Sequence, residues 1–233
     1  MTADPTLAHR ALADLDALIA SRSILQHPFY RAWNEGALSR DQLAVYARYY
    51  FPHVAAFPGY LEAAAAGAQD PAVRAGLLDN LREELSHPRP HAELWLDFAQ
   101  GCGVAPEEAA GAAPAEGARG TVAAFRRLAG ASTASALAAL YAYESQQPEV
   151  SRTKAEGLRR HYGVTDERSL AYFTVHQEAD IRHREGERQA LARCLEAGAS
   201  GEEVLGAAAQ ALDAYWGLLD GVCGEAGVAA SAA

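Results

Sequence analysis

The stretch "TVHQEADIRHREGE", residues 174–187, reads as the middle of a long helix and carries His176, Asp180 and His183. At ~100° per residue these three fall within about 60° of one another, on one stripe. Two imidazoles and a carboxylate converging from one helix face can hold a divalent cation. The flanking charges Glu178, Arg182, Arg184, Glu185 and Glu187 read as the solvated, salt-bridged side of the same helix.

Two further clusters have the right chemistry. "LREELSHPRPHAELW", 81–95, brings together Glu83, Glu84, His87 and His91. Glu84-Leu85-Ser86-His87 is a Glu-x-x-His, the pair that dimetal helical bundles use. Glu84 and His91 are spaced i, i+7 and share a face if the helix continues, but Pro88 and Pro90 interrupt it. Spacing alone therefore leaves His87 and His91 both open. In "ALYAYESQQPEV", 139–150, Glu144 follows a run of Ala, Leu and Tyr expected to be buried. A carboxylate among apolar neighbours is costly unless it is paired or on a metal. Three carboxylates and three imidazoles suit two first-row divalent metals such as iron or manganese, with open positions for dioxygen.

These residues need helices to carry them. The periodicity predicts helices over about 6–21, a short one from His27-Pro28, and a longer one opening at Ser39 with Asp41 and Gln42 in its first turn. The latter contains Pro52 and Pro58 and is expected to kink or break there. Further helices are predicted over about 71–87, 91–101, 117–130, 133–147, 149–161, 166–197 and 201–223. The best loop is 104–120, rich in Gly, Pro and Ala, and the tail 224–233 is expected to fray. No linker divides the chain, so residues 1–233 read as a single all-α domain, a multi-helix bundle with a site in its interior.

Composition narrows the class. The chain has 233 residues, half of them hydrophobic, with a net charge of −10. That charge argues against nucleic acid as a partner. No run of eighteen apolar residues is present, which argues against a membrane span, and the N-terminus lacks the pattern of a signal peptide. Cys102, Cys194 and Cys223 form no CxxC pair and read as reduced thiols of a cytoplasmic protein.

Over roughly 10–220 the chain resembles the CADD family, named for association with death domains, within the haem-oxygenase-like dimetal oxidases. The resemblance is carried by "HPFYRAW", "LSRDQLAVYARYYFPHVAAFPGYL", "LLDNLREE", "HAELW", "ALYAYESQQP", "KAEGL" and "YFTVHQEADIRHREGE". It implies a haem-oxygenase-like bundle whose six metal ligands are Glu84, His91, Glu144, His176, Asp180 and His183. His87 falls where the family does not use a histidine. The resemblance further implies two metal ions, Fe/Fe or Mn/Fe, with dioxygen and a reductant as co-substrates, and a homodimer.

The implied activity is formation of 4-aminobenzoate for folate synthesis. The ring source would be the protein's own Tyr30, with Lys154 as candidate amino donor and Tyr46 close to the site. Read without the resemblance, Tyr30 beside Phe29 and Trp33 is an ordinary core aromatic, and Lys154 an ordinary surface lysine. Other readings are a dimetal oxidase or lyase acting on an external small amine or fatty acid, a thiaminase-like hydrolase, a cofactor-free oxidase, and a non-enzymatic helical interaction module. The hydrolase needs a well-placed cysteine and a full ligand set argues against the cofactor-free enzyme. No exposed apolar seam calls for a protein partner.

Overall fold

A computed structural model describes residues 5–228. Its described residues form eleven α-helices and one 3-10 turn, with no strand. The helices are α1 (Pro5–Ser21), α2 (Pro28–Glu35), α3 (Arg40–Gly67), α4 (Pro71–Ser86), α5 (His91–Gly101), α6 (Pro106–Gly111), α7 (Glu116–Ala129), α8 (Thr133–Glu144), α9 (Gln147–His161), α10 (Glu167–Glu196) and α11 (Gly201–Ala226). The all-α expectation holds, and nearly every boundary lies within a few residues of the periodicity-based one.

The layout follows from which helices are apolar all round. Every residue of α8 from Ala134 to Glu144 is buried. A helix without a polar face must sit at the centre of a bundle, and α8 is packed by α3, α7, α10 and α11. The long α10 crosses beside it and also meets α4, α5 and α9. The core is one continuous apolar cluster rich in aromatic rings.

Local chemistry sets the ends. Ser39 and Gln42 form a reciprocal capping box that starts α3. Asp70 accepts from the Ala72 amide at the start of α4, and Asp166 from the Ser169 amide at the start of α10. Gly36 ends α2 with φ +72°, a left-handed conformation that favours glycine.

The elements differ from expectation in several places. Of the kink or break expected at Pro52 and Pro58, the break does not occur: α3 runs as one 28-residue helix. Buried residues flank both prolines, Tyr49, Tyr50, His53 and Val54 at one, Phe57, Tyr60 and Leu61 at the other. Their packing outweighs the roughly 3 kcal/mol that an interior proline costs. The loop 104–120 contains α6 and the first turn of α7. Helix α8 stops at Glu144, because Pro148 opens α9 and the Gln146 side chain donates back to the Ala142 carbonyl. The tail is helical to Ala226 rather than frayed from 224. Its residues 229–233, like residues 1–4 of the N-terminal stretch, lie outside the described residues.

Candidate metal centre

Helices α4, α5, α8 and α10 each deliver side chains to one buried place. Glu84, His91 and His176 form one triad, with a ligand atom of each within 4.8 Å of the others. Glu144, Asp180 and His183 form a second by the same measure. All six are buried. A cavity of about 10 Å³ lies between the triads, walled by Glu84 and His176 of the first and Glu144 and Asp180 of the second. Val54, Phe57, Tyr143 and Tyr172 close it with apolar surface.

The proline break that obscured the choice of histidine also resolves it. Helix α4 ends at Ser86, and the chain turns before α5 restarts at His91. That turn folds His91 back over Glu84, with Nδ1 2.8 Å from Oε1. His87 is exposed. It contributes only its backbone carbonyl, 3.1 Å from His91 Nε2. A carbonyl only accepts, so Nε2 carries the hydrogen and Nδ1 presents its lone pair to the triad. The same logic orients His176, whose Nδ1–H donates to the Tyr172 carbonyl at 2.6 Å and leaves Nε2 facing Glu84. His183 Nδ1 lies 3.2 Å from both Glu144 and Asp180. Its Nε2 is held by Glu83 at 3.2 Å, and Arg182 steadies Glu83 at 2.9 Å. A carboxylate or carbonyl behind each imidazole is how proteins fix the tautomer of a metal-binding histidine.

The electrostatics describe a place that draws in positive charge. Burial works to raise Glu84, but the imidazoles of His176 and His91 outweigh it and hold the carboxyl at about 2. Burial works to lower His176, yet the charges of Asp180 and Glu84 lift it to about 9. Against the same burial, Asp180 and Glu144 lift His183 to about 11. Burial raises Asp180. Without a cation the acid groups are neutralised by protons on His176 and His183. A divalent ion would displace those protons and neutralise more acid per site. Asp180 Oδ2 is buried without a hydrogen-bond partner, an oxygen still free to ligate. The donor set, three carboxylates and three neutral-capable imidazoles, therefore fits two divalent first-row ions.

The residues singled out for the ring chemistry form an apolar chamber of their own. Tyr30, on α2, is 1% exposed and its hydroxyl lies 3.1 Å from that of Tyr46. Lys154, on α9, is buried and not a surface residue. Its amine donates to the Tyr46 hydroxyl and stands 4.4 Å from the centre of the Tyr30 ring. It makes no ion pair among the described residues. Two effects compete over its charge. Rings of Tyr30, Tyr46, Tyr50 and Phe173 surround the nitrogen and favour a cation, by about 2 kcal/mol when desolvated. Burying an unpaired ammonium costs several kcal/mol on any scale. Burial wins and pushes Lys154 well below its usual 10.5, toward the free amine. Gly157 lets α9 come this close to α2, since a Cβ there would sit 2.8 Å from the Trp33 ring.

The chamber and the metal cluster are joined by touching rings. Tyr46 meets Trp95 at 5.6 Å, Trp95 meets Tyr172 at 4.9 Å, and Tyr172 lies against His176 at 4.1 Å. A second route runs from Tyr50 to Tyr143, whose hydroxyls are 3.0 Å apart, and Tyr143 lines the small cavity.

Several residues escaped the sequence reading. Asn80 donates to Glu144 at 3.0 Å; its place four residues before Glu84 on α4 was the available signal. Glu187 was read as solvated but is 5% exposed. It continues the stripe of His176, Asp180 and His183, and Leu191 after it is fully buried. Burial and the charge of Glu144 push its carboxyl well up. The three cysteines are free. Burial pushes Cys102 up to about 12, the wrong direction for a nucleophile.

A haem-oxygenase-like bundle with a buried cluster of acids and imidazoles at its centre defines the class, a redox enzyme built on that fold. A TenA homologue from Pseudomonas syringae superposes with a TM-score of 0.78 at 19% identity, covering 93% of this chain and 92% of that one. A CADD-like protein of unknown function from Nostoc punctiforme gives 0.74 at 21% identity, with 94% and 98% covered. Residues 44–216 match the family described as iron-containing redox enzymes. A 4-aminobenzoate synthase of Chlamydia trachomatis is 40% identical over 210 residues, 90% of each chain. One from Nitrosomonas europaea is 37% identical over 218 residues, covering 89% of each. The chain belongs to the iron-containing redox enzyme family. Among the described residues no helix is long and apolar enough to cross a membrane.

Two outcomes test this geometry. In anaerobic titrations with Mn(II), His87→Ala keeps the affinity of the unaltered chain, whereas His91→Ala loses at least ~10-fold for one ion. Equal losses in both variants would contradict the assignment. Lys154→Met tests the free amine. Lysine neutral when folded takes up a proton on unfolding at any pH below 10.5, so it lowers stability there. Lys154→Met therefore raises Tm at pH 7 by about 3 °C or more. The gap between the two proteins narrows as pH rises toward 10.5, by at most about 1.4 kcal/mol per unit. A variant of equal or lower stability at pH 7 would mean a charged, paired lysine.

Proposed function

We propose that this enzyme makes 4-aminobenzoate, consuming dioxygen and a reductant, and that it takes the ring from its own Tyr30 and the nitrogen from Lys154. The observation carrying the proposal is the Lys154 amine held over the face of a buried tyrosine, 4.4 Å from its centre. The relatives named 4-aminobenzoate synthases support the product.

The chemistry follows from comparing the two molecules. Tyrosine carries carbon and oxygen para to each other, and 4-aminobenzoate carries carbon and nitrogen in those places. The carboxyl carbon of the product corresponds to Cβ of tyrosine, so three bonds must break: Cα–Cβ of Tyr30, the ring C–O whose oxygen leaves as water when the amine condenses there, and Cε–Nζ of Lys154, which releases the nitrogen once Cε has been oxidised by the same dioxygen-derived oxidant. Two ions, Fe/Fe or Mn/Fe, held by Glu84, His91, Glu144, His176, Asp180 and His183, would supply the oxidising power by activating dioxygen. The chain's own residues do the rest. Tyr46 accepts a hydrogen bond from Lys154 and shares one with Tyr30, and so aligns amine and phenol. The line Tyr46, Trp95, Tyr172 gives electrons a path out of the chamber toward His176. Oxidation of the phenol makes the carbon bearing its oxygen electrophilic, and a neutral amine is the form that attacks it. Apolar walls exclude water, which would compete with the amine.

Consumption of Tyr30 limits each chain to one product. With iron, manganese, reductant and oxygen supplied, product reaches at most one equivalent per chain, and peptide mass spectrometry finds Tyr30 without its side chain. Tyr30→Phe abolishes both signals, since phenylalanine lacks the phenol to be oxidised. Catalytic turnover well beyond one equivalent with Tyr30 intact would instead establish an external substrate.

A further inference from the structure

The second triad has a neighbour that the six-residue ligand set does not use. Glu187 lies four residues beyond His183 and seven beyond Asp180, on the same stripe of α10. It is 5% exposed, and neither of its oxygens has a hydrogen-bond partner. Its carboxyl lies near that of Glu144, whose charge acts on it. The nearby donors, the Asn80 amide and the His183 imidazole, are already directed at Glu144. Two buried carboxyl groups near each other are satisfied either by one shared proton or by one shared cation.

The surroundings favour a cation. A cavity of about 210 Å³ runs between α4 and α10, lined among others by Ala72, Gly76, Asn80, Glu83, His183 and Glu187. It therefore reaches a ligand of the second triad, with Glu187 beside it. No residue of the first triad lines it. The small side chains of Ala72, Gly76, Gly186 and Ala190 keep the passage open.

We propose that Glu187 is a seventh ligand, binding the divalent cation held by Glu144, Asp180 and His183 and receiving it from the cavity between α4 and α10. This rests on the two-ion reading above. It makes the two positions unequal: the ion at Glu84, His91 and His176 is enclosed, and the ion at the second triad exchanges through the cavity.

The test uses the full-length, metal-stripped chain titrated anaerobically with Mn(II), free ion being counted by electron paramagnetic resonance. The unaltered chain binds two ions. Glu187→Gln keeps the size of the side chain and can donate to Glu144, so the metal-free protein unfolds at the same or a higher temperature. Its second ion binds at least ~10-fold more weakly, with the first unchanged. Gly76→Leu, which fills the cavity from an exposed helix position, slows uptake of the second ion severalfold without changing the stoichiometry. Glu187→Gln with both affinities unaltered overturns the proposal and leaves the two-ion reading standing, because a shared proton then suffices. If the unaltered chain binds no Mn(II), the two-ion reading fails and the proposal with it.

Discussion

The structure is organised by the cost of putting acid groups where water cannot reach them. Glu84, Glu144, Asp180 and Glu187 are all buried in one region of the core. Each would be expelled or neutralised unless positive charge came with it. Imidazoles supply some of that charge, and the rest of the fold keeps the arrangement from relaxing. The all-buried α8 presents Glu144 at its last turn, and the 30-residue α10 lines up His176, Asp180 and His183. The turn between α4 and α5 swings His91 over Glu84. A bundle that merely needed stability would fill this space with leucine. Retaining ionisable groups here fits a binding function for cations, at a cost the aromatic core must offset.

The two halves of the site are separated by polarity. The metal cluster is a polar pocket in which every imidazole has an acceptor behind it. The Tyr30 chamber is apolar, and that quality pushes Lys154 toward its uncharged form. Placing the amine among the carboxylates would protonate it, and placing the carboxylates among the rings would protonate them. Trp95 and Tyr172 join the halves by ring contact without mixing the two environments. The close approach of α9 to α2 at Gly157 sets the distance from nitrogen to ring.

Much of this was legible in the sequence, for identifiable reasons. The stripe of His176, Asp180 and His183 showed because a long uninterrupted helix gives spacing a fixed geometrical meaning. His87 and His91 could not be separated because Pro88 and Pro90 end the helix between them, and a turn has no fixed periodicity; the family resemblance, not the spacing, pointed to His91. The continuity of α3 through Pro52 and Pro58 was hidden because it depends on tertiary packing around both prolines. Glu187 was misread through its neighbours: Glu185 and Arg182 are exposed as expected, but the stripe itself runs on through Glu187 to Leu191. Lys154 carried a similar signal. It lies between Val150 and Leu158, both fully buried at i−4 and i+4, which places it on the inner face of α9.

The central claim is that the product's ring is the protein's own tyrosine. It is tested most directly by preparing the protein with carbon-13 in the rings of its tyrosines. The labelled protein is then supplied with iron, manganese, reductant and oxygen in the presence of excess unlabelled tyrosine. The account predicts 4-aminobenzoate that is fully ring-labelled. Unlabelled product would contradict it, showing that the ring comes from a molecule that enters the chamber and leaves it.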